Sequence, residues 1–160
     1  MKYSVLRRIG VIAVFCGITS LAGAADSIAV VEIVSTHKVS SSKFNSNTLI
    51  HTNRPYRYGD IPKSLAGLVY TMHEHKKTSD LTCRVKTGGV LYLVMEGGDK
   101  PSKFSDGEKW KKTDIVIKNK GSGGEPWRVY ERTVSKGDEL KVKSLDRWGS
   151  VILAKQISGR

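Results

Sequence analysis

The chain has 160 residues and carries 27 lysines and arginines against 15 aspartates and glutamates, which gives a formal net charge of +12 at pH 7. This length fits one domain whose hydrophobic core needs no disulfide staples. So basic a surface attracts polyanions through its long-range field, but the charge determines nothing about the fold.

The N-terminus is typical of a cleavable secretory signal peptide over residues 1–24. Basic residues precede an apolar stretch from Ile9 to Leu21, and Ala22-Gly23-Ala24 places small residues before the expected cleavage site. The apolar stretch has about 13 residues, whereas roughly 20 are needed to span a bilayer. We therefore expect export to the periplasm or the cell exterior, and no integral membrane segment in the mature chain.

Cleavage after Ala24 changes both the charge and the cysteine count. The signal region holds three of the 27 basic residues and none of the 15 acidic residues, so the mature net charge falls to +9. Cys16 leaves with the signal, which excludes an intrachain disulfide because Cys83 is then the single cysteine. Leu81, Cys83 and Val85 alternate with polar residues, and this pattern predicts a buried thiol on a strand.

The first mature segment, residues 25–47, combines one strand with a polar stretch. Ile28 to Val34 is rich in β-branched residues, which favours a strand.

A short alternating element, Tyr56-Arg57-Tyr58, lies further along the chain and ends at Gly59-Asp60. Pro62 then predicts a bend, because proline fixes φ and has no N–H donor.

Residues 48–160 contain the stronger strand patterns and are predicted to form the main domain. Val90 to Glu96 is the most apolar run and predicts a central strand buried on both faces. Thr87-Gly88-Gly89 before it predicts a hairpin. The other expected strands are Gly67–His73, Asp80–Lys86, Asp114–Lys118, Trp127–Val134, Glu139–Lys143 and Ser150–Lys155. The pattern predicts an all-β fold, an antiparallel β-sandwich or jelly roll with about eight or nine strands.

Two groups of residues resemble a known kind of domain. The first is Asn53-Arg54-Pro55-Tyr56 with Ile61-Pro62-x-x-Leu65-x-Gly67-Leu68-x-Tyr70-Thr71, and the second is Tyr130-x-Arg132-x-Val134-x-x-Gly137 with Trp148-Gly149-x-Val151. Across about Leu49 to Lys155, the chain resembles small β-sandwich domains of exported bacterial proteins. Some of those domains lie beside catalytic modules of polysaccharide-degrading enzymes and sulfatases. The resemblance implies an architecture and an extracytoplasmic setting, and it transfers no catalytic residue. The polar, basic stretch from His73 to Lys77 departs from it.

Trp110 is the tryptophan that we expect to be exposed. It lies in a polar loop between Lys109 and the pair Lys111 and Lys112. An exposed indole stacks on the C–H face of a sugar ring, and the lysines suit an anionic ligand. These four residues are therefore candidates for ligand binding.

Tyr56 and Tyr58 are further candidates for a sugar-stacking surface. The alternative for any of these aromatic residues is core packing, since large aromatic side chains dominate the cores of β-sandwiches. Trp127 starts an alternating strand and Trp148 precedes a turn glycine, so both favour a structural role.

His73-Glu74-His75 is a candidate metal site. Residues two apart on a strand point to the same face, so His73 and His75 could bind one ion, with a third ligand from His51, His37 or an acid. The alternative is a solvated loop, which the lysines that follow also fit. No H-E-x-x-H spacing supports a catalytic zinc, and no cofactor is expected.

Several enzymatic and nucleic-acid functions are not supported. The loop Gly121-Ser122-Gly123-Gly124 is followed by Glu125-Pro126 and a strand, not by the helix of a phosphate-binding loop. No Gly-x-Ser-x-Gly motif occurs, no acid pair is identifiable, and export argues against nucleic acid. The leading hypothesis is a non-catalytic exported domain that binds a glycan or another anionic envelope polymer. The alternatives are a module that binds another envelope protein and a small metal-dependent hydrolase that uses His73 and His75.

Overall fold

The computed structural model describes residues 27–34, 40–76, 80–96, 106–120, 124–143 and 150–159. The predicted signal peptide lies outside the described residues, as do His37, most of the glycine-rich loop and Trp148. Among the described residues, no helix is long and apolar enough to cross a membrane.

The described residues form strands and one short 3-10 turn, which confirms the all-β prediction. The strands are β1 (Val30–Ile33), β2 (Ser40–Lys43), β3 (Leu49–His51), β4 (Arg54–Tyr58), β5 (Val69–Met72), β6 (Leu81–Thr87), β7 (Gly89–Glu96), β8 (Lys111–Ile117), β9 (Asn119–Lys120), β10 (Trp127–Val134), β11 (Glu139–Val142), β12 (Ser150–Ala154) and β13 (Gln156–Gly159). The 3-10 turn spans Gly107–Lys109. The described residues thus contain 13 strands. This exceeds the expected eight or nine because elements as short as β3 and β9 leave little periodicity to detect.

The strands form three sheets. A four-stranded sheet has the order β11-β6-β1-β13, a six-stranded sheet has the order β2-β5-β12-β7-β10-β8, and a three-stranded sheet has the order β3-β4-β9. The strand pairs are antiparallel except for β1 and β13, which run parallel.

The six-stranded sheet packs against both other sheets. On β7, Leu93 packs with Val31 and Cys83 of the four-stranded sheet. The next residue, Val94, packs instead with Tyr58 of the three-stranded sheet. Successive side chains of a strand point to opposite faces, so both faces of β7 are covered. The prediction of a central, doubly buried strand is confirmed.

The expected hairpin at Thr87-Gly88-Gly89 is wrong. It connects β6 in the four-stranded sheet to β7 in the six-stranded sheet, and these two strands do not pair. The N-terminal segment occupies the place of the hairpin partner: the Val90 N–H donates to the Ser27 carbonyl at 2.8 Å, and the Ala29 N–H donates to the Val90 carbonyl at 2.9 Å. The glycines therefore form an arch between two sheets.

Cys83 is fully buried, as its alternating pattern predicted. Burial raises the pKa of its thiol to about 12. In the chain that begins at Ala25, we therefore expect thiol reagents to label native Cys83 roughly a thousandfold more slowly than the unfolded chain. The measurement is the rate of Ellman's reagent reaction with and without urea. Equal rates in the two states would show that the thiol is accessible in the folded protein.

One row of cross-strand partners crosses the six-stranded sheet and reaches its edge. Leu153 pairs with Tyr70 and with Tyr92, Tyr92 pairs with Glu131, and Glu131 pairs with Lys111. Burial falls along this row, from buried Tyr70 and Leu153, through half-buried Tyr92 and Glu131, to exposed Lys111. The three-stranded sheet thus covers one end of the row, and the polar end meets solvent.

Candidate functional site

Trp110 is 6% exposed and belongs to the core between the four- and six-stranded sheets. The expectation that it lies at the surface was wrong. It follows the 3-10 turn in an extended conformation, so its side chain points inward while those of Lys109 and Lys111 point outward. The Arg132 guanidinium lies 5.9 Å from the centre of the Trp110 ring. Trp110 therefore offers no free face for sugar stacking.

The two tyrosine candidates lie on β4, in a different sheet from the lysines. Tyr58 is fully buried, with its ring centre 4.8 Å from that of Phe44 and 5.4 Å from that of Trp127. Tyr58 is therefore a core residue, which corrects its assignment to a ligand surface. Tyr56 is half-buried and lies beside His75, with ring centres 5.6 Å apart.

A groove of about 400 Å³ lies where the polar end of the cross-strand row meets solvent. It is lined by Val90, Lys109, Lys111, Glu131, Arg132 and Thr133. Two of the three predicted lysines are among these residues. Lys112 is the next residue after Lys111 on β8 and pairs with Tyr130. Its side chain therefore points to the opposite face of the sheet from that of Lys111.

The groove brings complementary polar groups together. Glu131 pairs with Lys111, and Thr133 pairs with Val90 on the neighbouring strand. Cross-strand partners place their Cβ atoms about 4.5–5.5 Å apart, so an ammonium, a carboxylate, a hydroxyl and an apolar side chain share one small area. The sequence did not predict that Glu131 and Thr133 line a groove with Lys111, because their position relative to Lys111 depends on strand register.

Arg132 contributes less charge to this groove than its position suggests. Its guanidinium is paired with the Asp106 carboxylate, and the two side chains are only 11% and 21% exposed. Lys109 and Lys111 are exposed and are the cations available to an anionic ligand. Tyr92, next to Glu131 in the row, has a raised pKa because of burial and the nearby Glu131 carboxylate.

A second cleft, of about 420 Å³, lies between the residues that follow β4, the end of β8 and β9. Its amides already bind within the protein: Asn47 Oδ1 accepts from Lys120 at 2.7 Å, and Asn119 Nδ2 donates to the Glu125 carbonyl at 2.8 Å. Asn119 Oδ1 also accepts from the Trp127 indole. The polar side chains of this cleft therefore already form the hydrogen bonds that hold β9 in place. The groove is the better candidate for a ligand site.

The histidine candidates converge in a separate cluster. His51 at the end of β3 forms an isolated parallel bridge with His73, just after β5. The His51 ring centre lies 5.5 Å from that of His73 and 5.0 Å from that of His75. Of the third residues that the sequence left open, His51 lies beside His73 and His75, whereas His37 lies outside the described residues.

His51, the histidine that contacts both others, is uncharged at neutral pH. Burial, together with the neighbouring His73 and His75, lowers the pKa of His51 to about 4. Among the described residues, no group of three or more histidine, cysteine, aspartate or glutamate side chains could hold a metal ion.

The comparisons with known proteins identify similar folds. The sequence matches no protein-family model and no curated protein. The fold is similar to part of a β-glucuronidase from glycoside hydrolase family 2, with a TM-score of 0.62 and 11% identity over 79% of this chain. It is also similar to part of a GH138 enzyme targeting pectin rhamnogalacturonan II, with a TM-score of 0.55 and 14% identity over 82% of this chain.

This chain covers 14% and 16% of the lengths of those two enzymes. At such low identities the likeness shows the fold alone. A β architecture similar to this one therefore occurs within enzymes that act on glycans, in agreement with the kind of domain that the resemblance implied.

Proposed function

We propose that this chain is an exported, non-catalytic domain that binds an acidic glycan in the groove lined by Lys109, Lys111, Glu131 and Thr133. The cross-strand register carries this proposal, because it gathers these residues at one place on the uncovered part of the six-stranded sheet. The fold likeness to glycan-active enzymes supports the choice of a glycan over other anionic polymers.

The groove chemistry suits a saccharide that carries a carboxylate. The ammonium groups of Lys109 and Lys111 would donate charge-assisted hydrogen bonds to that carboxylate. Glu131 accepts hydrogen bonds from sugar hydroxyls, Thr133 donates and accepts, and Val90 offers an apolar contact to ring C–H groups. The groups lie at the surface, so we expect weak binding that falls with rising salt.

The test replaces the two groove lysines together, as Lys109→Gln with Lys111→Gln. We expect the affinity for polygalacturonate to fall at least about tenfold, which corresponds to about 1.4 kcal/mol of binding free energy. Affinity electrophoresis or calorimetry measures this change. Fully methyl-esterified polygalacturonate should bind weakly to the unmodified protein, because esterification removes the carboxylate charge from the same polymer backbone.

The matched control is a variant with the same charge loss outside the groove, Lys112→Gln with Lys141→Gln. Both control lysines are exposed, and neither lines the groove. If the groove binds the ligand, the control variant retains most of the affinity. If both double variants lose affinity equally, the attraction comes from net charge and the groove proposal is wrong. Retention of a protein partner without any glycan would favour the interaction-module alternative.

A further inference from the structure

The outer face of the three-stranded sheet carries two cations directly opposite each other. Arg57 on β4 is exposed, whereas the next residue, Tyr58, is buried, so the Arg57 side chain points away from the core. Lys120 on β9 is the cross-strand partner of Arg57 and is also exposed. Cross-strand partners place their Cβ atoms about 4.5–5.5 Å apart, and like charges in this arrangement destabilise a sheet. An anion bound between the two cations would remove that cost.

One neutral residue, Asn47, holds both positive head groups. The Arg57 guanidinium donates to the Asn47 carbonyl oxygen at 2.6 Å. The Lys120 ammonium donates to Asn47 Oδ1 at 2.7 Å. Asn47 has a φ of 66°, in the left-handed region that asparagine tolerates better than most residues. A single residue therefore fixes the positions of two cations without neutralising either of them.

Acidic side chains leave this pair of cations positive. On its other side Arg57 faces Leu49, which is apolar. Asp60 lines the cleft beside Lys120, but within the described part of the chain neither cation forms an ion pair with Asp60 or with another acid. A guanidinium has five N–H donors and an ammonium has three, and each donates one hydrogen bond to Asn47. Both cations therefore retain donors for a ligand.

We propose that Arg57 and Lys120 bind a sulfate or phosphate group, with Asn47 as the residue that positions both cations. Such a group is tetrahedral and presents several acceptor oxygens, so one oxygen accepts from the guanidinium while another accepts from the ammonium. The bound group converts one repulsive pair of charges into two attractive pairs. Because the site is exposed, it admits either a free anion or an ester on a larger molecule. It is independent of the groove, whose residues lie on β7, β8, β10 and the 3-10 turn.

The test titrates the isotope-labelled chain that begins at Ala25 with sodium sulfate, at an ionic strength held constant with sodium chloride. Sulfate keeps the same charge throughout the neutral pH range. We expect saturable changes in the amide resonances of Asn47, Arg57 and Lys120, with weak affinity because the site is exposed. Lys120→Gln should weaken this binding at least about fivefold, the loss expected for one exposed charge pair.

Asn47→Asp is a second variant that removes no cation. Aspartate also tolerates a positive φ, and its carboxylate would pair with Lys120 in place of the bound anion. We expect this variant to keep its fold and to bind sulfate at least about fivefold more weakly than the unmodified chain. An affinity for sulfate that Asn47→Asp leaves unchanged would overturn the proposal.

The matched control is Lys141→Gln, which removes one exposed lysine from the four-stranded sheet and should leave the affinity unchanged. If Lys141→Gln and Lys120→Gln weaken binding equally, net charge attracts the anion and the assignment is wrong. The absence of saturable changes in the resonances of the unmodified chain would also refute it.

A galactose sulfate ester and unmodified galactose distinguish the two sources of the group. An ester that binds more tightly than free sulfate supports a sulfated saccharide as the ligand, whereas tighter binding of free sulfate supports the anion itself. Unmodified galactose should leave the resonances of Arg57 and Lys120 unchanged. Equal binding of galactose and its sulfate ester would show that the oxyanion is not what the site recognises.

Discussion

Replacing Gly89 with alanine is expected to lower the free energy of unfolding by about 3 kcal/mol or more, through strain and overpacking. Gly89 has a φ of +149°, and a Cβ atom there would lie 2.2 Å from the Ser27 carbonyl oxygen and 3.0 Å from the Ala29 nitrogen. Both are backbone atoms of the segment that pairs with the start of β7. Relieving the overlap therefore breaks the pairing that replaces the expected hairpin.

Urea unfolding followed by circular dichroism measures this loss, and Gly137→Ala is its matched control. Gly137 has a φ of +94° with no atom within 4 Å of an added Cβ, so alanine there adds backbone strain without overlap. We expect about 1 kcal/mol of destabilisation in this control. Equal losses in the two variants would show that the arch has room for a side chain and would contradict the described close approach.

Replacing Trp127 with alanine is expected to cost about 3–5 kcal/mol of stability, the usual range for deleting a buried large aromatic side chain. Trp127 is fully buried at the start of β10, and its ring packs edge-to-face on Tyr58 at 5.4 Å. Its indole N–H donates to Asn119 Oδ1. The substitution therefore leaves a cavity and also frees the side chain that positions β9.

Trp127→Phe separates these two contributions. Phenylalanine retains most of the packing but cannot donate to Asn119, so we expect a smaller loss of about 1–2 kcal/mol. Val116→Ala provides a surface control, because Val116 is 40% exposed and should change stability by less than about 0.5 kcal/mol. A Trp127→Ala loss no larger than that of Val116→Ala would show that Trp127 is not a core residue.

The strands that the sequence predicted best are those with long local periodicity. The predicted Trp127–Val134 has the same bounds as β10, and Ser150–Lys155 differs from β12 by one residue. Burial of Cys83 followed from the same alternation. These features depend on neighbours along the chain, which a sequence displays directly.

The binding candidates were predicted less well, because they depend on contacts between distant segments. Trp110 lies among lysines in the sequence, yet it is buried in the core. After the 3-10 turn the backbone is extended, so the Trp110 side chain points to the opposite side from its lysine neighbours. The same alternation places the side chains of Lys111 and Lys112 on opposite faces of β8, so of these two residues Lys111 lines the groove. Local composition indicates a basic surface but not which face of a strand carries each charge.

By itself, the sequence determined the all-β class, the doubly buried central strand and the buried thiol, since the spacing of apolar residues dictates which faces must leave water. Tertiary structure alone decided that β6 and β7 belong to different sheets, that Glu131 faces Lys111, and that His51 joins His73 and His75. The physical reason is register. A shift of one residue between strands exchanges the faces of every side chain, and register is set by packing across the whole domain.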